Sequence, residues 1–218
     1  MCIRDRDTRS HRRTTTLNTV SQGSLALRPD GRLLADAADQ YADLPSGRVH
    51  GRALADGRQV TALAFSPDGT RLAVGDSTGH VTLWDGDLRT RRGLLTGTSD
   101  TATGSDAEAV GALAFSPDGS TLAVGGQYGT LRLWDTAGQQ LLGTDLPTAG
   151  DEIDTLAFTH DGATLYAGGP EVLLQGYPVA PDTIVRVLCS RAGGGLTGAQ
   201  WRTYVSDVSY RQVCPTTR

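Results

Sequence analysis

The sequence predicts an all-β protein built from repeats, on three observations. A decapeptide, Val60 to Gly69 (VTALAFSPDG), returns as Val110 to Gly119 (VGALAFSPDG) and, altered, as Ile153 to Gly162 (IDTLAFTHDG). The chain's three phenylalanines, Phe65, Phe115 and Phe158, hold one place in that unit. Of 24 acidic residues only three are Glu (Glu108, Glu152, Glu171) and the rest are Asp, a bias towards turns and caps over helices.

Each unit reads as strands. In Val60–Phe65 the alternate residues Val60, Ala62, Ala64 and Thr61, Leu63, Phe65 are largely apolar on both sides, as in a strand packed on both faces. Ser-Pro-Asp-Gly then turns the chain: Pro sets φ, Asp bonds its own backbone and Gly accepts positive φ. Leu72 to Gly75 returns, Ser77 to Gly79 turns again, and His80 to Trp84 makes a third strand ended by Asp85. Arg91 to Leu95 forms a weaker, outer fourth strand. A fainter upstream copy, Ser24 to Gly31, places the turn aspartates at Asp30, Asp68, Asp118 and Asp161, spaced 38, 50 and 43 residues apart. Four short antiparallel strands at this period describe the blade of a β-propeller.

Composition excludes several chemistries. The 20 basic residues are all Arg. Without Lys there is no phosphate-loop lysine, Schiff-base lysine or kinase lysine. Three Cys and four scattered His (His11, His50, His80, His160) do not make a zinc site. Arg in place of Lys, with abundant Ala, Gly and Asp, is the codon signature of a GC-rich bacterial genome. No apolar run approaches the ~18 residues of a membrane helix. The start carries no signal peptide, so a cytoplasmic location is expected.

The pattern Leu-Ala-Phe-Ser-Pro-Asp-Gly, then Leu-Ala-Val-Gly, then Leu-Trp-Asp resembles the WD-repeat β-propellers. Trp84-Asp85 and Trp134-Asp135 match the family's naming dipeptide, each Trp 16 residues after its turn Asp. Tyr177 lies 16 after Asp161 and reads as the Trp of the last unit; Tyr41-Ala-Asp43 reads as its remnant in the first, four residues early. The resemblance implies an all-β, partial propeller of about four blades with a short α-helical C-terminal tail. Its structural residues are Phe65, Asp68, Gly69, Trp84, Asp85, Phe115, Asp118, Gly119, Trp134, Asp135, Phe158, Asp161, Gly162 and Tyr177. The family's Gly-His pair before the first strand and its Asp before the third are missing, so its buried His–Ser–Trp–Asp network is not expected to form.

The expected organisation is a disordered or non-native N-terminus (1–13), blades over 14–53, 54–95, 96–144 and 145–179, and a tail over 180–218. The uneven units suggest the C-terminal part of a larger protein, a self-contained four-blade ring being the alternative. The last unit passes from its third strand into Pro181 with no fourth; Thr14 to Val20 is β-prone and suited to fill that gap. In the tail, Asp182 is read as the cap of a helix over Thr183–Ala192, and Thr197 with Gln200 as a capping box for a second. The tail resembles Cys-containing tails that follow propellers in multidomain bacterial regulators. Cys189 and Cys214 are either a disulfide stapling a poorly cored element or two reduced thiols.

Candidate chemistry is sparse. Trp84, Trp134 and Tyr177 share a repeat register and read as core rather than ligand platforms. Asp68 and Asp118 have no second carboxylate at loop spacing, so they read as turn formers rather than calcium ligands. His160-Asp161 sits in a repeat turn and does not read as a hydrolase fragment. Arg89, Arg91 and Arg92 lie on the outer strand, and net charge −4 does not suit nucleic acid. No cofactor, metal or small-molecule substrate is implied. The resemblance points to a non-catalytic protein-interaction scaffold, or to the sensing or autoinhibitory domain of a multidomain ATPase, kinase or protease. The loops Asp56–Gln59, Asp76–Gly79, Thr96–Ala109, Gln127–Gly129 and Thr148–Glu152 are expected on one end, with Asp76, Asp100, Asp106, Glu108, Asp151 and Glu152 forming an acidic rim for a basic protein partner. Tyr128 is the aromatic anchor among them.

Overall fold

The structure, a computed structural model, describes residues 3–6, 10, 13–17, 23–95, 108–171, 174–192, 194–205, 207–212 and 214. Strands β1 (Ile3–Arg6) and β2 (Arg13–Leu17) pair antiparallel with each other. The sequence reads 1–13 as disordered or non-native and Thr14 to Val20 as suited to fill the gap in the last sheet; among the described residues β1 falls within 1–13, and Thr14–Leu17 of the second segment belong to β2, which pairs with β1.

Four antiparallel sheets follow in chain order, each laid out strand beside successive strand. The first holds β3 (Leu25–Leu27), β4 (Leu33–Asp36), β5 (Gln40–Asp43) and β6 (Arg48–Gly51). The second holds β7 (Val60–Phe65), β8 (Arg71–Asp76), β9 (Val81–Asp85) and β10 (Arg91–Leu95). The third holds β11 (Val110–Phe115), β12 (Thr121–Gly126), β13 (Leu131–Asp135) and the two-residue β14 (Gln140–Leu141). The fourth has three strands: β15 (Thr155–Phe158), β16 (Thr164–Gly168) and β17 (Gln175–Pro178). Helices α1 (Pro181–Ala192) and α2 (Gly198–Tyr204) follow. The innermost strands lie side by side, β3 against β7, β7 against β11 and β11 against β15. Among the described residues no comparable contact brings β15 back to β3, so these four sheets form an open arc.

Cross-strand register explains why the sheets stack. On one face of each sheet the paired residues form a bulky row: Phe65–Leu72–Trp84, Phe115–Leu122–Trp134 and Phe158–Leu165–Tyr177. The other face carries a smaller row: Ala26–Ala35–Tyr41, Ala64–Ala73–Leu83 and Ala114–Ala123–Leu133. Each bulky row packs on the small row of the preceding sheet, giving three apolar seams. Close approach is enforced at two glycines. A Cβ on Gly75 would lie 2.6 Å from Val110, the first residue of β11, and one on Gly125 2.6 Å from Ile153, two residues before β15.

The same register corrects the first unit. Leu34, the counterpart of Leu72, pairs with Ala42 and not with Tyr41, so Ala42 takes the Trp position. Tyr41 points into the opposite row and stacks on His50 at 4.9 Å. One residue of slip exchanges the two faces of a strand.

The Ser-Pro-Asp-Gly turns form as the sequence requires. Gly69, Gly119 and Gly162 sit at φ of +70°, +70° and +68°, which only glycine adopts without strain. Ser66, Ser116 and Thr159 donate their hydroxyls to Asp68, Asp118 and Asp161, and the backbone N–H of Thr70, Ser120 and Ala163 completes each turn. These bonds favour the ionised form and hold all three carboxyls below their ordinary value, the hydroxyl contributing most. The stabilisation is therefore present above the ordinary Asp value of about 3.9 and is lost as pH falls through the lower folded values. Thermal melts are expected to hold level above about pH 5 and to drop in the acid range below about pH 4. In the isosteric triple variant Asp68→Asn, Asp118→Asn, Asp161→Asn the acid drop should shrink; an unchanged profile would refute the turn assignment.

In the tail, α1 begins two residues before the expected start. Pro181 occupies its first turn, Ala180 C=O accepts from the N–H groups of Thr183 and Ile184, and Asp182 is an acidic first-turn residue rather than the cap. The capping box of Thr197 and Gln200 opens α2. Cys189 and Cys214 are disulfide-bonded, their Cα atoms 5.4 Å apart. Trp201 Nε1 donates to Val208 O at 2.8 Å and its ring meets Tyr210 edge-on at 5.9 Å, so the tail is cross-linked within itself.

Candidate interaction surface

The tight turns that lead into the third strand of each sheet organise one end of the arc. Each exposes backbone N–H groups that an acceptor must satisfy. In the second sheet Asp76, at the end of β8, does this from within the turn. Its Oδ1 accepts from Thr78 N at 2.8 Å, Thr78 Oγ1 at 2.7 Å and His80 N at 3.1 Å. Arg58 approaches from the preceding loop, 3.9 Å from Asp76 Oδ2.

The third sheet reaches the same end by another route. Fifty residues on, Asp76 becomes Gly126 and Arg58 becomes Glu108. Glu108 extends from the loop before β11 into the space an Asp side chain would fill at 126. It accepts from Tyr128 N, Thr130 N and Thr130 Oγ1. The carboxylate expected to be absent is thus present in both turns, supplied from opposite sides. Trp84 Nε1 donates to Leu54 O at 3.0 Å rather than to a serine hydroxyl.

This geometry corrects part of the acidic rim. Asp76 and Glu108 are buried, at 1% and 7% exposure, because their oxygens are spent on turn N–H groups. They are not available to a partner. Asp100 and Asp106 lie outside the described residues. Asp151 and Glu152 are half-buried, and Asp56 is ion-paired to Arg91 at 2.7 Å. Tyr128, by contrast, is 71% exposed on the turn that Glu108 holds. That turn abuts the Thr148–Glu152 loop: Thr148 Oγ1 donates to Gly129 O, and Gly129 faces Gly150 too closely for a side chain.

The remaining repeat residues have structural work. Trp84, Trp134 and Tyr177 are buried in the seams at 6–7% exposure, and Phe65, Phe115 and Phe158 pack beside them. Asp85 accepts from Arg89 N and Thr90 N, and Asp135 from Gly138 N, closing the turns to the outer strands. Among the described residues no group of three or more His, Cys, Asp or Glu is placed to hold a metal ion. Also among them, no helix is long and apolar enough to cross a membrane.

Successive antiparallel sheets with inner strands side by side and bulky-on-small seams define propeller blades. The family model of the WD domain, G-beta repeat, matches residues 50–85 and 94–135, which include the second and third sheets up to Asp85 and Asp135. The segments 50–85 and 94–135 are WD repeats, and WD repeats serve in general as non-catalytic scaffolds for protein–protein interaction. A search of curated proteins found no match.

Proposed function

We propose that the chain is a protein-interaction scaffold whose partner docks on the turn end of the second to fourth sheets, with Tyr128 as the anchor. The observation that carries this reading is a large aromatic side chain, 71% exposed, on a turn whose backbone is fixed from beneath. An exposed Tyr on a fixed backbone has few rotatable bonds to order on binding and is a residue type enriched at binding centres. Asp151 and Glu152, on the adjoining loop, favour a partner with basic residues around its apolar contact, by steering and rim contacts.

Binding partners captured with the intact chain and measured by calorimetry provide the test. Tyr128→Ala is expected to weaken binding by more than about 1 kcal/mol while leaving the melting temperature within error. Asp151→Asn with Glu152→Gln should mainly slow association and reduce its salt dependence. A Tyr128→Ala variant that binds normally removes the anchor.

A further inference from the structure

Arginines bridge two of the three seams at the Ser-Pro-Asp-Gly end. Between the first and second sheets Arg28 donates to Gly86 O and to Asp87 Oδ1, and also pairs with Asp30. Between the second and third, Arg71 donates to Thr136 Oγ1. Gly86 and Thr136 hold the same repeat position, the residue after each Trp-Asp pair. Arg71 lies there in a polar crevice of about 180 Å³ lined also by Asp68, Asp118 and Ser120. Asp68 is held ionised mainly by the Ser66 hydroxyl and the Thr70 N–H of its turn, and the charge of Arg71 adds to this. A carboxylate bonded within its own turn thus still attracts a cation.

The seam between the third and fourth sheets is built differently. Ser116 and Thr121 stand where Arg28 and Arg71 do, and Val179 stands where Gly86 and Thr136 do. These side chains cannot form the arginine bridge. The same place opens into a cavity of about 910 Å³, within the size range of ligand sites. Asp118 and Asp161 both line it, and among the described residues His160 is its only basic group. Its apolar walls are Leu133, Leu142, Leu146, Phe158, Val179 and Ile184. In the preceding seam the five-residue β10 is tied to the third sheet by Gln139 Nε2, which donates to Arg92 O. The two-residue β14 instead leaves Leu142 45% exposed on the cavity.

We infer that this cavity binds an arginine in an extended segment of a protein partner, its guanidinium beside Asp118 and Asp161 and a large apolar neighbour against Leu142, Phe158 and Ile184. The other two seams specify the chemistry: each takes a guanidinium at this repeat position, and here two carboxylates line the cavity without one. A guanidinium is also the cation that gives up water most readily, as a half-apolar cavity requires. Alternate side chains of an extended segment point the same way, so an arginine and an apolar residue two places off enter together. The Ser-Pro-Asp-Gly turns lie at the opposite end of the strands from the Tyr128 turn, so this site is separate from the one proposed above.

Random heptapeptides displayed on phage and selected on the full chain are the probe, the most enriched then being synthesised and measured by calorimetry. The selected peptides should share an arginine with a leucine, phenylalanine or methionine two places away. Citrulline in place of that arginine keeps the shape and removes the charge. It should weaken binding more than about tenfold, the worth of a charge-assisted hydrogen bond. Thr121→Arg restores the cation of the preceding seam and should abolish binding without lowering the melting temperature. Leu142→Ser, at an exposed wall, should weaken binding severalfold with the melt unchanged, and decides the matter if Thr121→Arg does not fold. Tyr128→Ala should bind the peptide as the wild-type chain does, whatever becomes of the Tyr128 anchor. No enrichment, enriched peptides without arginine, tolerance of citrulline, or binding that survives either substitution would each overturn the inference. So would octylguanidine binding as tightly as the peptide, since the occupant would then be a small molecule.

Discussion

Trp84→Ala is expected to destabilise the protein by about 3–5 kcal/mol, the range for removing a buried Trp from a close-packed core. The ring is buried at the seam between the first and second sheets, against Leu72, Leu88, Leu54 and Ala35. Its indole N–H donates to Leu54 O at 3.0 Å, and the Arg52 guanidinium lies 4.7 Å from the ring centroid. Alanine leaves a cavity, an unpaired carbonyl and a cation without its aromatic face. For a chain of this size the melting temperature should fall by about 10 °C. Tyr41→Ala is the control. If Ala42 holds the Trp position in the first sheet, removing half-buried Tyr41 costs far less, about 1–2 kcal/mol. Equal losses at the two positions would show that the register of the first sheet has been assigned wrongly.

Glu108→Ala should cost about 1–3 kcal/mol, because it strands part-buried donors. The N–H groups of Tyr128 and Thr130 and the Thr130 hydroxyl all lose their acceptor. The more telling variant transplants the second sheet's solution. Gly126→Asp alone should destabilise, since its side chain meets Glu108 and sets two carboxylates together. Glu108→Arg with Gly126→Asp reproduces the Arg58–Asp76 pair and should recover most of the loss. Chemical denaturation of the two single variants and the double gives the coupling energy directly. Additive losses would mean that the two turns are not equivalent.

Much of the architecture was legible in the sequence, for a definable reason. Repetition of the Phe, the Asp-Gly turn and the Trp-Asp pair fixes strand order and facing together. Register slipped in the first unit, where β4 is shorter and Tyr41, the nearest aromatic, stands one residue from the position it was assigned. The rim was misread because charge in a sequence does not say whether a carboxylate faces water or a turn. Asp76 and Glu108 look like the surface acids around them, and only the backbone N–H groups they meet distinguish them. One signal was available: the 50-residue offset sets Arg58 and Asp76 against Glu108 and Gly126, so an acid lost at one place reappears at the other. The start of α1 was misplaced because Pro181 initiates the helix before Asp182. Tyr128 was readable as an aromatic in a glycine-flanked turn, but not its degree of exposure.

Because either of two positions can supply the turn carboxylate, the repeats are free to diverge along a constrained route. An ancestor of the third sheet carrying acids at both places would suffer repulsion, and one carrying neither would leave donors unpaired. The intermediate of least penalty is a neutral acceptor at one site while the other gains its acid. Related repeats should then show these two positions varying in concert across a gap of 18 residues, the separation both of Arg58 from Asp76 and of Glu108 from Gly126. That correlated pair would serve as an internal ruler for aligning degenerate blades whose Trp-Asp dipeptide has eroded.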